Sequence, residues 1–245
     1  MGSRAESSLG SSGGANNHEI PARGRIELRM GDLRMDTREL ASLFSQESTM
    51  PHLVGVVPHR VSEGERLRVE TQYPGLSLIT ATAGDVRKYY TKNRGQILIV
   101  SPHPKREGKL SGAVVVQRGN PGVLIGNISK LVVDENERGQ GIGPELVRAA
   151  NALIFGHLNL GEATATVVIN VPNDHIPQKI LRNEGFKSQN QRDGVCISWD
   201  TETGRLKVRD ALPFALARDA YLRRANAAGE IERYLSVLQV TPKIA

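Results

Sequence analysis

The chain has 245 residues, enough for one domain with extensions or for two small domains. Hydrophobic residues at 39% and charged residues at 24% exclude a wholly disordered chain, and aromatics at 4% leave Val, Ile, Leu and Ala to fill the core. The net charge of +6 favours an anionic partner (nucleic acid, an acidic membrane surface or a phosphorylated cofactor), while the single cysteine, Cys196, excludes an internal disulfide and a Cys-rich zinc site.

Residues 1–24 are Ser, Gly, Asn and Arg with almost no apolar side chains, and predict a disordered leader. They lack the hydrophobic stretch of a secretory signal, and Glu6 stands where a myristoylation signal takes Ser or Thr. No apolar run is long enough to span a bilayer. A soluble, cytoplasmic protein with no membrane partner is therefore expected.

Order is expected from about residue 25. Ile26, Leu28 and Met30 alternate with polar residues as in a short strand, and Asp36-Thr37 precedes a helix through Leu40, Ala41, Leu43 and Phe44. Residues 49–75 carry no assignable period. Residues 76–80 resemble an extended piece, and a helix follows through Val86, Tyr89 and Tyr90. Residues 96–100 and 110–117 are apolar runs joined by the Pro- and Gly-rich turn 102–108, which predicts an antiparallel hairpin. A longer strand is expected over 123–133.

Next come a helix with Leu146, Ala149, Ala150, Leu153 and Ile154 on one face, and a β-branched strand over 163–171. A short helix through Ile180 and Leu181 should end at Gly185, before a last strand over 195–199. Cys196, between Val195 and Ile197, reads as a small core residue. From Arg209 a helical extension is expected. Its stripe of Ile231, Tyr234, Leu235 and Leu238 belongs either on the core or on a partner, a homodimer included. The resulting class is mixed α/β.

The chemistry concentrates in Arg138-Gly139-Gln140-Gly141-Ile142-Gly143, between a strand end and a helix start expected at Pro144. The first amides of a helix lack intrahelical partners, and that end of the helix is partly positive. Glycines there let a phosphate approach the backbone, and Arg138 adds a guanidinium. A P-loop would need Gly-Lys-Ser/Thr where this chain has Gly143-Pro144-Glu145. A dinucleotide fingerprint would space its glycines differently and open the first βαβ unit.

The segment resembles the acetyl-CoA motif of the GNAT superfamily of N-acetyltransferases, Arg/Gln-x-x-Gly-x-Gly/Ala, at every fixed position. Residues 173–186, with Asn173 near a strand end and a helix closing at Gly185-Phe186, resemble the family's second cofactor motif. The resemblance covers about residues 25–200. It implies a central, mostly antiparallel mixed sheet whose fourth and fifth strands, here 123–133 and 163–171, splay apart. It also implies acetyl-CoA as cosubstrate and no metal. Leu131, Val132 and Val133 would pair with the pantetheine arm, residues 138–143 would hold the pyrophosphate, and Asn173 would touch the cofactor.

The implied reaction is direct attack of an amine, from a small molecule or a protein, on the thioester in a ternary complex. The chain departs from the family at Leu181, where an acidic Tyr is usual, and at Pro177, where Ala is common. Residues 125–131 carry no carboxylate to act as base. Asn127 and Ser129 remain as residues that could order a water, and His175 as a proton shuttle; Asp134 and Glu135 read as solvated turn charges. Two further readings stay open: a catalytically silent GNAT-like module that binds CoA or regulates, and a nucleic-acid-binding protein, which the lack of any Lys/Arg block weakens. The resemblance implies an acceptor pocket set by the first helices and their loop, about residues 36–95, where His52, His59, Tyr73, Tyr89 and Tyr90 lie, and by the last strands.

Overall fold

A computed structural model describes residues 26–241 apart from 33, 74–77, 93–94, 120–121 and 225. The expected leader over 1–24 lies outside the described residues. The chain begins with β1 (Arg29–Met30), α1 (Thr37–Phe44), β2 (Val56–Val57), α2 (Glu63–Gln72), β3 (Ile79–Thr80) and α3 (Ala83–Lys92).

The predicted apolar face of α1 is the buried one: Leu40, Ala41, Leu43 and Phe44. Asp36 makes no side-chain cap. Its buried carboxylate instead accepts both terminal nitrogens of Arg29, at 2.8 and 2.6 Å, and the amide of Asp32 at 2.7 Å. The unassigned stretch 49–75 holds α2, in which no residue is buried. A helix without an apolar stripe leaves no period to read. Of the expected extended piece, Ile79–Thr80 is a strand and residues 76 and 77 are outside the described set.

The rest of the chain follows as β4 (Gln96–Pro102), β5 (Leu110–Arg118), β6 (Ile125–Val133), α4 (Ile142–Ala152), β7 (Glu162–Val168), α5 (His175–Asn183), β8 (Lys187–Ser188), β9 (Arg192–Asp200), β10 (Arg205–Ala217), α6 (Arg218–Leu222) and α7 (Ala227–Val237). The main sheet has the order β1-β4-β5-β6-β7-β10-β8, with β9 also on β10. β6 and β7 are parallel, and the other pairs of this sheet are antiparallel. A parallel pair needs a crossover. Here α4, extended by the π-helical turn Leu153–His157, supplies it.

Both faces of the sheet are covered. In β5, Val114 and Val116 join the core beneath α4, while Ala113 and Val115 join the core against α1 and α3. Two-sided burial explains why this strand reads as a continuous apolar run. Each buried valine contributes about 1.5–3 kcal/mol.

The C-terminal segment corrects the expected helical extension over 201–245. Arg205–Ala217 is a 13-residue strand that pairs with β7 from Ala211↔Val168 to Ala217↔Glu162 and with β9 along its first half. It lies inside the sheet. Ala211, Ala215 and Ala217 suggested helix, yet Leu212, Phe214 and Leu216 alternate at the period of a strand, and tertiary pairing decides. The two helices after it pack on the same core: Ile231, Tyr234, Leu235 and Leu238 are buried with residues of α4. The stripe is thus covered by the chain itself, and a homodimer would have to use another surface.

Candidate active site

The parallel pairing of β6 and β7 runs from Ile125↔Glu162 to Ile128↔Ala165 and stops, although β6 continues to Val133 and β7 to Val168. The cause sits in β6. Lys130 has φ 52, and the β5–β6 register shifts between Val115↔Ser129 and Ala113↔Val132. A bulge of this kind bends and twists its strand, here away from β7. A cleft of about 430 Å³ opens in the gap, walled by β6, β7, β9 and the turn at His52–Val54. Leu131 lines it, while Val132 and Val133 pair with Ala113 and Gly112 of β5 and have no strand on the other edge.

The loop after β6 is built around two left-handed glycines, Gly139 at φ 78 and Gly141 at φ 87. No side-chain bond caps α4, which starts at Ile142 rather than at the expected Pro144. Among the described residues, the amides of Gln140, Gly141, Ile142 and Gly143 have no protein acceptor. Open amides at a helix N-terminus suit an anion. Gly143 serves packing instead: a Cβ there would lie 3.1 Å from Cδ1 of Ile180 in α5.

The side chains of the loop fold back from the amides. Gln140 donates to Glu137 at 2.9 Å, and Glu137 pairs with His103 at 3.1 Å. Arg138 is exposed and donates to Oγ1 of Thr49 at 3.0 Å. Asp134 and Glu135 are tied down rather than free in solvent: they accept from Gln46 at 3.0 Å and Ser48 at 2.9 Å.

Asn127 and Ser129 both line the cleft. The Ser129 hydroxyl turns into the sheet and donates to the Val115 carbonyl at 3.5 Å, whereas the Asn127 amide makes no hydrogen bond among the described residues. Asn173 is exposed at φ 63 before α5 and does not reach the cleft, and His175 is exposed in the first turn of α5. Gly185, at φ 85, ends α5 as expected, with the Phe186 amide bonded to the Leu181 carbonyl at 3.0 Å. Leu181 itself is buried and borders the cleft.

From the early segment, His52 and Tyr89 line the cleft, Tyr90 is core, His59 is exposed and Tyr73 is half-buried. Burial lowers the pKa of His52, as does the charge of Arg138, against weaker opposing effects of a hydrogen bond to the Pro172 backbone and of Asp174. Sequence reasoning missed Lys130. Its ammonium sits inside the cleft and donates to the Val54 carbonyl at 2.5 Å, and burial pulls its pKa down to about 8. The signal was a lone charged residue in the strand Ile125–Val133. Cys196 is buried as expected, and burial pushes its thiol pKa up against the weaker pull of Lys130.

The fold is similar to that of solved N-acetyltransferases, and residues 69–175 match the model of the acetyltransferase (GNAT) family. The matched segment includes the Gly-rich loop at 138–143, on which the resemblance to this family was first read. Spermidine N-acetyltransferase from Vibrio cholerae, solved in complex with CoA and spermine, superposes with a TM-score of 0.57 at 15% identity, over 81% of this chain and 98% of that one. Ribosomal-protein-S5-alanine acetyltransferase from Vibrio fischeri gives 0.55 at 16% identity, over 78% and 92%. No curated protein matches the chain in sequence.

Proposed function

We propose that the chain moves an acetyl group from acetyl-CoA to an amine, by direct attack in a ternary complex in the cytosol. The observation that carries this reading is the parting of β6 and β7 beyond Ile128 and Ala165, which opens at the strand ends that lead into the Gly-rich loop. The open amides of residues 140–143 and the positive end of α4 suit the diphosphate, with Arg138 beside them. The backbone of Leu131, Val132 and Val133 offers a free edge to the pantetheine arm, and Asn173 stands before α5 for a further cofactor contact.

A free alkyl amine is neutral in only about one molecule in 2,500 at pH 7, so a proton must be removed before attack. His52, held neutral in the cleft, is the acceptor of that proton, directly or through water ordered by Asn127. Ser129 has a weaker claim because its hydroxyl is turned into the sheet.

Leu181 in place of a Tyr donor, and a cleft lining without carboxylates, favour a second reading, a silent CoA-binding module. One experiment separates the two. Thermal shift with acetyl-CoA should stabilise the wild type and largely fail after Arg138→Glu, because the new carboxylate repels phosphate. Free-thiol release with an amine panel then reports turnover. Stabilisation without thiol release selects the silent module, and no stabilisation removes both readings.

A further inference from the structure

The charged side chains that line the cleft are all of one sign. Lys130 projects into it from the bulge of β6, and Arg192 borders it from the start of β9. Among the described residues, neither an Asp nor a Glu lines it. Among the described residues, the Lys130 ammonium has only the Val54 carbonyl as hydrogen-bond acceptor, and the group of opposite potential charge that acts on it is the Cys196 thiol, whose burial favours the neutral form. The Arg192 side chain makes no hydrogen bond or ion pair among the described residues, although its backbone pairs with Ala211 of β10.

The carboxylates nearby are committed elsewhere. Asp174 accepts the Asn170 amide at 2.9 Å, and Asp210 accepts the Asn170 side chain at 3.1 Å and the Gly194 amide at 2.9 Å. Asp193 accepts from Gln191 at 2.9 Å. A buried ammonium without a counter-ion is costly, and a ligand that brings one removes the cost. A polycation would instead meet like charge in a place of low dielectric.

We propose that the acceptor is a small amino acid: an amine that carries its own carboxylate, which Lys130 and Arg192 receive. This rests on the acetyltransferase reading above. The cleft of about 430 Å³ has room for a molecule of that size beside a thioester. In the transfer, the amine nitrogen forms its bond to the acetyl carbon as the carbon–sulfur bond breaks. One ammonium proton leaves to His52 and on to solvent, a second passes from the nitrogen to the departing sulfur, and the products are the N-acetyl amino acid, the CoA thiol and the proton released to solvent. The acceptor keeps its carboxylate throughout. The positive lining therefore selects the acceptor and takes no part in bond making.

The test compares each amino acid with its own α-amide, and with spermidine, by thiol release from acetyl-CoA. Rates are expressed as kcat/KM per neutral amine, because amides are weaker bases. At least one amino acid should exceed its amide by roughly 10- to 100-fold, the worth of a charge-assisted contact. That ratio should collapse toward one in Lys130→Met and in Arg192→Gln, the second of which changes an exposed side chain and leaves the fold intact. Amides or spermidine turned over as well as every amino acid would overturn the proposal. So would thermal stabilisation by acetyl-CoA with no acceptor consumed. Absence of that stabilisation would bring down the underlying reading as well.

Discussion

The guanidinium of Arg138 donates to Oγ1 of Thr49 at 3.0 Å, and so ties the Gly-rich loop to the turn that carries His52. The two ends of the site are therefore coupled: the charge that suits a phosphate also depresses the basicity of the imidazole. Replacing Arg138 with Glu should move the acid limb of kcat/KM to higher pH, measured at saturating acetyl-CoA.

His52→Gln tests the imidazole directly. Removal of a general base typically costs about 10²- to 10⁴-fold in rate, and the loss should fall on kcat with acetyl-CoA stabilisation unchanged. In the wild type, activity should fall as pH drops through a value below the ordinary 6.5 of histidine, since burial and Arg138 hold the pKa down. The sign for stability is the same. Below 6.5 the unfolded chain takes up the proton first, so this group disfavours the fold increasingly as pH falls.

Gly141 has φ 87, and Val at that position is strained whatever the space. Gly141→Val should lower stability by about 1–3 kcal/mol and abolish stabilisation by acetyl-CoA, as urea melts with and without the ligand would report.

Lys130→Met should raise stability while it harms acceptor selection. The ammonium of half-buried Lys130 has no carboxylate partner among the described residues, and an apolar side chain of similar length removes its desolvation, for a gain of about 1–3 kcal/mol. The gain depends on pH. Below about 8 lysine is charged folded and unfolded, and the penalty is complete. Between about 8 and 10.5 only the unfolded chain holds the proton, so wild-type stability rises with pH and the variant's advantage shrinks. Urea unfolding at pH 7 and pH 10 checks the sign.

The hairpin β4–β5, the apolar face of α4 and the loop at residues 138–143 were legible because each carries a local signal: a period, a Pro- and Gly-rich turn, or glycines between a strand and a helix. The strand Arg205–Ala217 was not, because alanines favour helix locally and its partner β7 lies far back in the sequence. The cleft was half legible. Asn127, Ser129 and Leu131 lie on the strand that leads to the motif, but Lys130 enters through a bulge whose positive φ no side chain announces, and Arg192 and His52 arrive from the start of β9 and from a turn, both distant in sequence.

The position of β10 sets an order of assembly. During synthesis β7 emerges with a bare edge, and its covering strand is still inside the ribosome. Until Ala217 is released, that edge is open to any other extended chain. A message cut short after β9 would leave a product with an unsealed sheet and half a cleft, a natural client for chaperones and a seed for aggregation. The last part of the chain is thus the keystone, set only when the rest is already standing.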